Sequence, residues 1–339
     1  MTDSLTRSAD SGIDVEVITI GTDAPGPTLA DDLVAGFERT PKSLPPKYFY
    51  DEHGSALFDR ICDTPEYYPT RTEDAVLHEC APEVLARHPA EHIIELGSGT
   101  SRKTRRLLDA CERTGLAPRY WPLDVCPEVV REAGATLRSE YPWLGVTGLA
   151  GDYLGGLDTL PAPPGRRLYV FLGGTLGNFT ADESVAFLAD LARCMQPGDA
   201  LLLGVDRVKD PQVLEAAYDD AAGVTAAFNL NLLNVLNREL GADFPLDAFR
   251  HRARYDREQQ RIEMYLDAQR AFSVQVPALE RSWEFAAGES ILTEISRKFT
   301  PADIEEELSR AGLSLDTAFE PDNGYFSLLL ARPATGTRD

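Results

Sequence analysis

Short apolar runs and amphipathic stretches alternate along the middle of the chain. The runs at 92–96, 119–124, 145–151, 167–172 and 200–205 read as strands. The stretches between them, among them 103–113, 127–140 and 181–194, carry helical spacing. Short strands separated by helices predict a parallel sheet with crossover connections. Farther on, a helix over 301–311 precedes strands over 315–319 and 325–331, which flank the turn sequence Pro321-Asp322-Asn323-Gly324. That turn predicts an antiparallel hairpin at the end of the sheet.

Two regions do not follow the alternation. Residues 208–298 hold helices over 211–223 and 224–241 and strands over 260–268 and 271–285. Ahead of the sheet lie a helix over 29–39 and a proline-rich stretch, 41–51, expected to be extended. A helix over 54–62 follows, then one capped by Thr70 or Thr72 that ends near 85. The organisation expected is a loosely ordered tail (1–28, with one apolar patch at 15–20), a core of residues 72–207 and 298–335, and an inserted α+β lobe. That lobe, from 29–71 and 208–297, is expected over the carboxyl edge of the sheet, where open α/β sheets bind ligands.

Composition narrows the partners. The 339 residues carry a net charge of −22, which repels a phosphate backbone and argues against nucleic acid. No run approaches the ~20 apolar residues of a membrane span, and the polar start lacks a signal core. Five scattered cysteines and five histidines show no metal spacing, so no metal is expected and the cytoplasm is.

The first strand ends in Glu95-Leu96-Gly97-Ser98-Gly99 and turns into a helix, aiming backbone N–H groups at a ligand. A dinucleotide fold expects a third glycine where Arg102 stands. Glu95 before the turn suits a cationic, hydroxyl-rich ligand such as S-adenosylmethionine (SAM). An ordinary tight turn would read the same from this motif alone. Asp124 ends the next strand, where a ribose is held, and Asp152-Tyr153 follow the third, placed to meet an adenine. Three acids at ordered positions favour a nucleoside-type ligand over three unrelated turns. With the C-terminal hairpin, the pattern is that of class I SAM-dependent methyltransferases, Rossmann-like with a mostly parallel sheet.

Other residues admit two readings each. Asn178, after the fourth strand, holds a carboxylate or an amine, or caps the next helix. Glu294 and Ser296 share a face of one strand, to grip a heteroaromatic N–H or to sit in solvent on an edge. Met264 reads as core by periodicity. The tyrosines of the two proline-stiffened loops line a pocket or pack.

Several longer stretches carry a resemblance. Pro-Lys-Ser-Leu-Pro-Pro-Lys (41–47), Glu-Tyr-Tyr-Pro-Thr-Arg-Thr-Glu (66–73), Glu-Leu-Gly-Ser-Gly-Thr (95–100), Tyr-Asp-Asp-Ala-Ala-Gly-Val-Thr-Ala-Ala-Phe-Asn (218–229) and Leu-Thr-Glu-Ile-Ser (292–296) resemble the actinobacterial L-histidine Nα-methyltransferases of ergothioneine biosynthesis. The likeness spans about 41–332. It implies transfer of three methyls from SAM to the α-amine of L-histidine, giving hercynine. It implies that Gly97, Lys103, Asp124, Asp152 and Tyr153 bind the cofactor, joining Glu95 and Gly99 of the turn. It implies that Asn178 and Tyr218 hold the substrate carboxylate, that Glu294, Ser296 and Tyr67 read the imidazole beside Met264, and that Tyr50 also surrounds the histidine; on chemical grounds Tyr50 is expected to orient the amine or relay its proton through water. The departures are a longer acidic N-terminus and Tyr48, where the family often has Trp. A monomer is expected. The alternatives are a related N-methyltransferase for another amino acid or amine, a non-catalytic SAM-binding regulator, and a nicotinamide dehydrogenase, against which the missing glycine and the hairpin count.

Overall fold

The computed structural model describes residues 15–21 and 26–334. In chain order, the first elements are β1 (Val17–Thr19), α1 (Leu29–Phe37), β2 (Lys42–Ser43), α2 (Glu52–Cys62) and α3 (Tyr68–Arg87). Then come β3 (His92–Leu96), α4 (Arg105–Thr114), β4 (Arg119–Asp124), α5 (Pro127–Glu140), β5 (Gly148–Ala150), α6 (Tyr153–Gly156), β6 (Arg167–Phe171), α7 (Ala181–Cys194) and β7 (Ala200–Asp206). The rest comprises α8 (Pro211–Tyr218), α9 (Val224–Leu240), β8 (Phe249–Asp256), β9 (Arg261–Ala268), β10 (Phe272–Val276), β11 (Arg281–Phe285), β12 (Ser290–Arg297), α10 (Pro301–Arg310), β13 (Leu313–Phe319) and β14 (Phe326–Pro333).

The main sheet has the order β1-β5-β4-β3-β6-β7-β14-β13. Its pairs are parallel up to β7; β14 then runs antiparallel to both β7 and β13. Every residue of β7, Ala-Leu-Leu-Leu-Gly-Val-Asp, is buried, as a strand covered on both faces must be. One apolar layer packs α3, α4 and α5 on the sheet, and the other packs α7 and α10. Each fully buried leucine in these layers stabilises the fold by roughly 1.5–3 kcal/mol. Helix starts are written locally: Thr28–Asp31, Thr180–Glu183 and Thr300–Asp303 form reciprocal capping boxes.

A third apolar cluster unites α1, α2, α8 and α9 with a four-stranded sheet of order β2-β12-β9-β8. Leu33, Phe37 and Phe49 from early in the chain pack there with Phe228, Leu232 and Phe285 from late in it. The pairing of β2 with β12, Lys42 beside Ile291, ties the two segments together.

Several expectations need correction. The apolar patch within the expected tail forms β1 and pairs with β5, while residues 1–14, 22–25 and 335–339 lie outside the described ones. The stretch 41–51 is not wholly extended: Pro46–Phe49 is a 3₁₀ turn, entered at a proline whose φ suits a first turn. Helix α3 starts at Tyr68, not at a threonine cap, because Pro69 suits its first turn; the Thr70 hydroxyl meets Cys62 Sγ at 3.3 Å instead. The helix expected over 211–223 stops at Tyr218, since Asp220 turns back to accept from the N–H groups of Val224 and Thr225 at the head of α9. The strand expected over 271–285 is a hairpin, broken at Pro277–Leu279. Strand β8 was not anticipated.

Candidate active site

Strand β3 delivers Glu95 to the carboxyl edge of the sheet. Beyond it Gly97, Gly99 and Ser101 all have positive φ, +67°, +49° and +53°. The turn is tied to β4 by two bonds. The Ser98 N–H donates to the Leu123 carbonyl at 2.9 Å, and the Gly99 N–H donates to Asp124 Oδ2 at 3.0 Å. A Cβ at Gly99 would meet no atom within 4 Å, so the turn opens onto free space. Asp124 Oδ1 accepts from the Cys126 N–H at 3.1 Å, which leaves each carboxylate oxygen a further lone pair. Asp152 caps α6 through Oδ1 to the Leu154 N–H at 2.8 Å, while Oδ2 has no partner among the described residues. The Tyr153 ring rests on Phe171 and Phe187, and burial pushes its phenol up to about 12.

Glu95 is buried and accepts from Thr104 Oγ1 and the Tyr120 hydroxyl on one oxygen. Burial outweighs those bonds and lifts its carboxyl to about 7. Lys103 is ion-paired with the wholly buried Glu73, which also accepts from the Gly173 N–H at 2.8 and 3.0 Å. An ammonium has three protons, so Lys103 keeps donors beyond this pair.

Facing this turn is a second group of side chains. Glu294 stands directly opposite Met264 in the β12–β9 ladder, just past an irregularity in the register. Glu294 makes no hydrogen bond with any described residue, and burial raises its carboxyl to about 7 against the pull of Lys298. Tyr50 follows the 3₁₀ turn, its half-exposed ring edge-on to Phe58 and Phe228. Although the residue as a whole is half exposed, the protein packed around its hydroxyl, and then the Glu294 charge, raise its phenol above the ordinary value. Tyr67 enters α3 with its ring 6.1 Å from that of Tyr218, which ends α8. The Tyr218 carbonyl accepts from His251 Nε2 at 2.8 Å. Asn178 ends the 3₁₀ turn Thr175–Asn178 after β6. Gly177 lets that turn lie against β12, where a side chain would strike the Arg297 carbonyl. Thr180 caps α7, so Asn178 is not a cap, and its amide has no partner among the described residues.

Beneath Tyr218 and Ser296 lies a buried ion cluster. Lys298 Nζ donates to the Tyr218 hydroxyl at 2.9 Å and to Ser296 Oγ at 2.8 Å, and it pairs with Asp206 at 2.9 Å. Asp206 also receives the Tyr68 hydroxyl at 2.7 Å and Lys209 Nζ at 2.5 Å. Burial works against the Lys298 charge, but Asp206 and Tyr218 outweigh it and hold the ammonium above the usual lysine value. For Lys209 burial wins, lowering its amine to about 8.

All fourteen residues singled out in the sequence line one cleft of about 1980 Å³: Glu95, Gly97, Gly99, Lys103, Asp124, Asp152 and Tyr153 on the turn's side, with Tyr50, Tyr67, Asn178, Tyr218, Met264, Glu294 and Ser296 across from them. Strand β12, a possible edge by sequence, lies between β2 and β9. Sequence reading missed Glu73, Tyr68 and Asp206, which have partners distant in the chain, and Lys209, which pairs with Asp206 three residues before it. It also missed Lys298, which carried a signal: it lies two residues past Ser296 in the same strand register. A buried Ser98 hydroxyl without a partner among the described residues, the open turn and the unused carboxylate oxygens fit a SAM-type ligand.

Comparison with known proteins bears on this cleft. The family model described as "Histidine-specific methyltransferase, SAM-dependent" matches residues 29–333. The histidine N-alpha-methyltransferase of Mycolicibacterium smegmatis is 50% identical over 312 residues, 92% of this chain and 97% of that protein. Its namesake from Mycobacterium tuberculosis is 47% identical over the same shares. An L-tryptophan methyltransferase of Psilocybe serbica is 28% identical over 91% of this chain and 94% of its own.

Proposed function

This chain belongs to the SAM-dependent, histidine-specific methyltransferases, and from that membership we propose that it methylates the α-amine of L-histidine three times to hercynine, the first step of ergothioneine biosynthesis. Within the molecule, one observation supports the reading above the rest. A glycine turn fitted to a nucleoside faces, in the same cleft, a carboxylate at Glu294 without a hydrogen-bond partner among the described residues.

On the donor side, Asp124 accepts ribose hydroxyls with its remaining lone pairs, Asp152 Oδ2 accepts the adenine amine, and Tyr153 packs on the base. Glu95 and Lys103 serve the amino-acid end. The bound SAM supplies a sulfonium methyl for in-line displacement. The protein's share is to align the attacking amine and exclude water.

On the acceptor side, Glu294 accepts an imidazole N–H, with Ser296, Tyr67 and Met264 around the ring. Asn178 and Tyr218 hold the carboxylate. The amine must lose a proton before each transfer. The Tyr50 phenol, raised by burial and by Glu294, keeps its own proton at neutral pH. It therefore orients the amine or passes its proton on through water rather than acting as a phenolate base. Its ring, with that of Tyr67, suits the quaternary ammonium of the product. The enzyme is taken to be a cytoplasmic monomer; among the described residues no helix is long and apolar enough to cross a membrane.

Calorimetry tests the substrate side. With the demethylated cofactor bound, L-histidine should bind, and L-tryptophan or L-phenylalanine at least tenfold more weakly. Equal or tighter binding of a neutral aromatic amino acid would shift the reading to a paralogue for that substrate.

A further inference from the structure

Ser296 lies in β12 and Lys298 directly follows that strand, and the proton count where their side chains meet is restrictive. An ammonium only donates, and Lys298 has three partners for its three protons: Tyr218, Ser296 and Asp206. Both hydroxyl oxygens therefore accept from the lysine. The hydroxyls lie 2.8 Å apart, so one donates to the other. One hydroxyl proton remains, and it cannot point back at the lysine. Both residues line the cleft, so that proton faces it.

The charges beneath are unequal. Two ammonium groups, Lys298 and Lys209, meet the single carboxylate of Asp206, and Tyr68 adds only a neutral hydroxyl. The neighbouring Arg207 has its own carboxylate in Glu320. Asp206 would be neutralised by either lysine alone, and a second buried cation is costly unless an anion answers it. Glu294, which lines the same cleft, makes no bond to the cluster. The site thus has a positive end under Tyr218 and a negative end at Glu294. A free amino acid with a basic side chain has the complementary polarity.

We propose that Lys298 is a positioning residue for the substrate carboxylate: its ammonium, donating to both oxygens of the Tyr218–Ser296 pair, leaves the one free proton of that pair on Tyr218 and turned toward the cleft, and the surplus charge of the Asp206–Lys298–Lys209 cluster makes that end select an anion. The role rests on the reading that a free amino acid is methylated here. Lys298 does not touch the substrate; it acts through the Tyr218 hydroxyl, which Ser296 also meets. Because Asp206 is the last residue of β7 and Lys298 directly follows β12, the same contact also pins the two sheets together.

The test separates positioning from a merely structural role by comparing two ligands. L-histidine and histamine share imidazole and amine, and only the former has the carboxylate. Calorimetry with the demethylated cofactor bound should show that Lys298→Met weakens L-histidine about tenfold or more while histamine changes less than about threefold. Cofactor affinity should hold, because Asp206 keeps Lys209 as partner. Equal losses for both ligands, or an unchanged ratio, would overturn the proposal. Should Lys298→Met fail to bind cofactor, Lys209→Met carries the test, since it removes the surplus charge without contact with either hydroxyl. The histidine-to-histamine preference should then narrow severalfold, and an unaltered preference would overturn the proposal. If the wild type binds another amino acid in place of histidine, the substrate assignment fails by itself, and the same ratio is read with that amino acid and its decarboxylated amine.

Discussion

Gly204, in the middle of β7, leaves room for Glu73: a methyl group on Gly204 would overlap Glu73 Oε1. Glu73 is wholly buried, pairs with Lys103 and receives the Gly173 N–H, so this contact lies under the cofactor side of the cleft. Gly204→Ala should displace the carboxylate and break a buried pair, at a cost of about 3–5 kcal/mol. Urea denaturation measures this. A loss below about 1 kcal/mol would mean that Glu73 can move aside.

At Gly99 the effects on stability and binding should separate. The residue sits at φ +49° with nothing within 4 Å of a would-be Cβ. Gly99→Ala should cost only about 1–2 kcal/mol of stability, from backbone strain. Its methyl, however, intrudes where the cofactor approaches the backbone. We expect cofactor affinity to fall about tenfold or more by calorimetry, with thermal stability little changed. Retained affinity would place the cofactor elsewhere.

Glu294→Ala should lose histidine and keep the cofactor. Removing a charged hydrogen-bond acceptor typically costs about 1.5–3 kcal/mol, roughly ten- to hundredfold in affinity. Unchanged histidine binding would rule out a role for Glu294 in reading the imidazole.

Glu294 and Glu95 also set a pH dependence. Burial raises both carboxyls from 4.5 to about 7. A carboxyl with a higher value in the folded than in the unfolded chain holds more protons when folded. The ligand-free protein therefore loses stability as pH rises from about 4.5 to about 7, by up to about 3 kcal/mol per group. Glu294→Gln removes one such group. The variant should melt a few degrees above the parent at pH 8, with the gap narrowing at pH 5. A parent that melts higher than the variant at pH 8 would contradict this.

The sequence made the sheet legible because its strands are short, apolar and punctuated by glycine and proline. Strands β3 and β4 and helices α5 and α7 span the residues their patterns predict. Strand β8 escaped notice because its inward positions are Phe249, His251, Ala253 and Tyr255, with arginines between; a buried histidine breaks the apolar rhythm. That histidine is satisfied by Asn229 and the Tyr218 carbonyl, contacts between residues distant in sequence. The same holds for Glu73 with Lys103 and for Asp206 with Lys298, since pairing across the fold leaves no periodic trace. The cofactor side of the cleft was readable because it clusters at strand ends, whereas Tyr218, Glu294 and Ser296 were picked out by the family resemblance. The charges that support the cleft from behind were not readable.

The product tests the central claim most directly. The purified chain is incubated with SAM and a panel of amino acids and amines, and the mixture is resolved by mass spectrometry with fragmentation. L-histidine should gain three methyl groups, all on the α-nitrogen, with the imidazole unmodified and the rest of the panel unchanged. L-histidine recovered without an added methyl, beside another methylated amino acid, would contradict the claim.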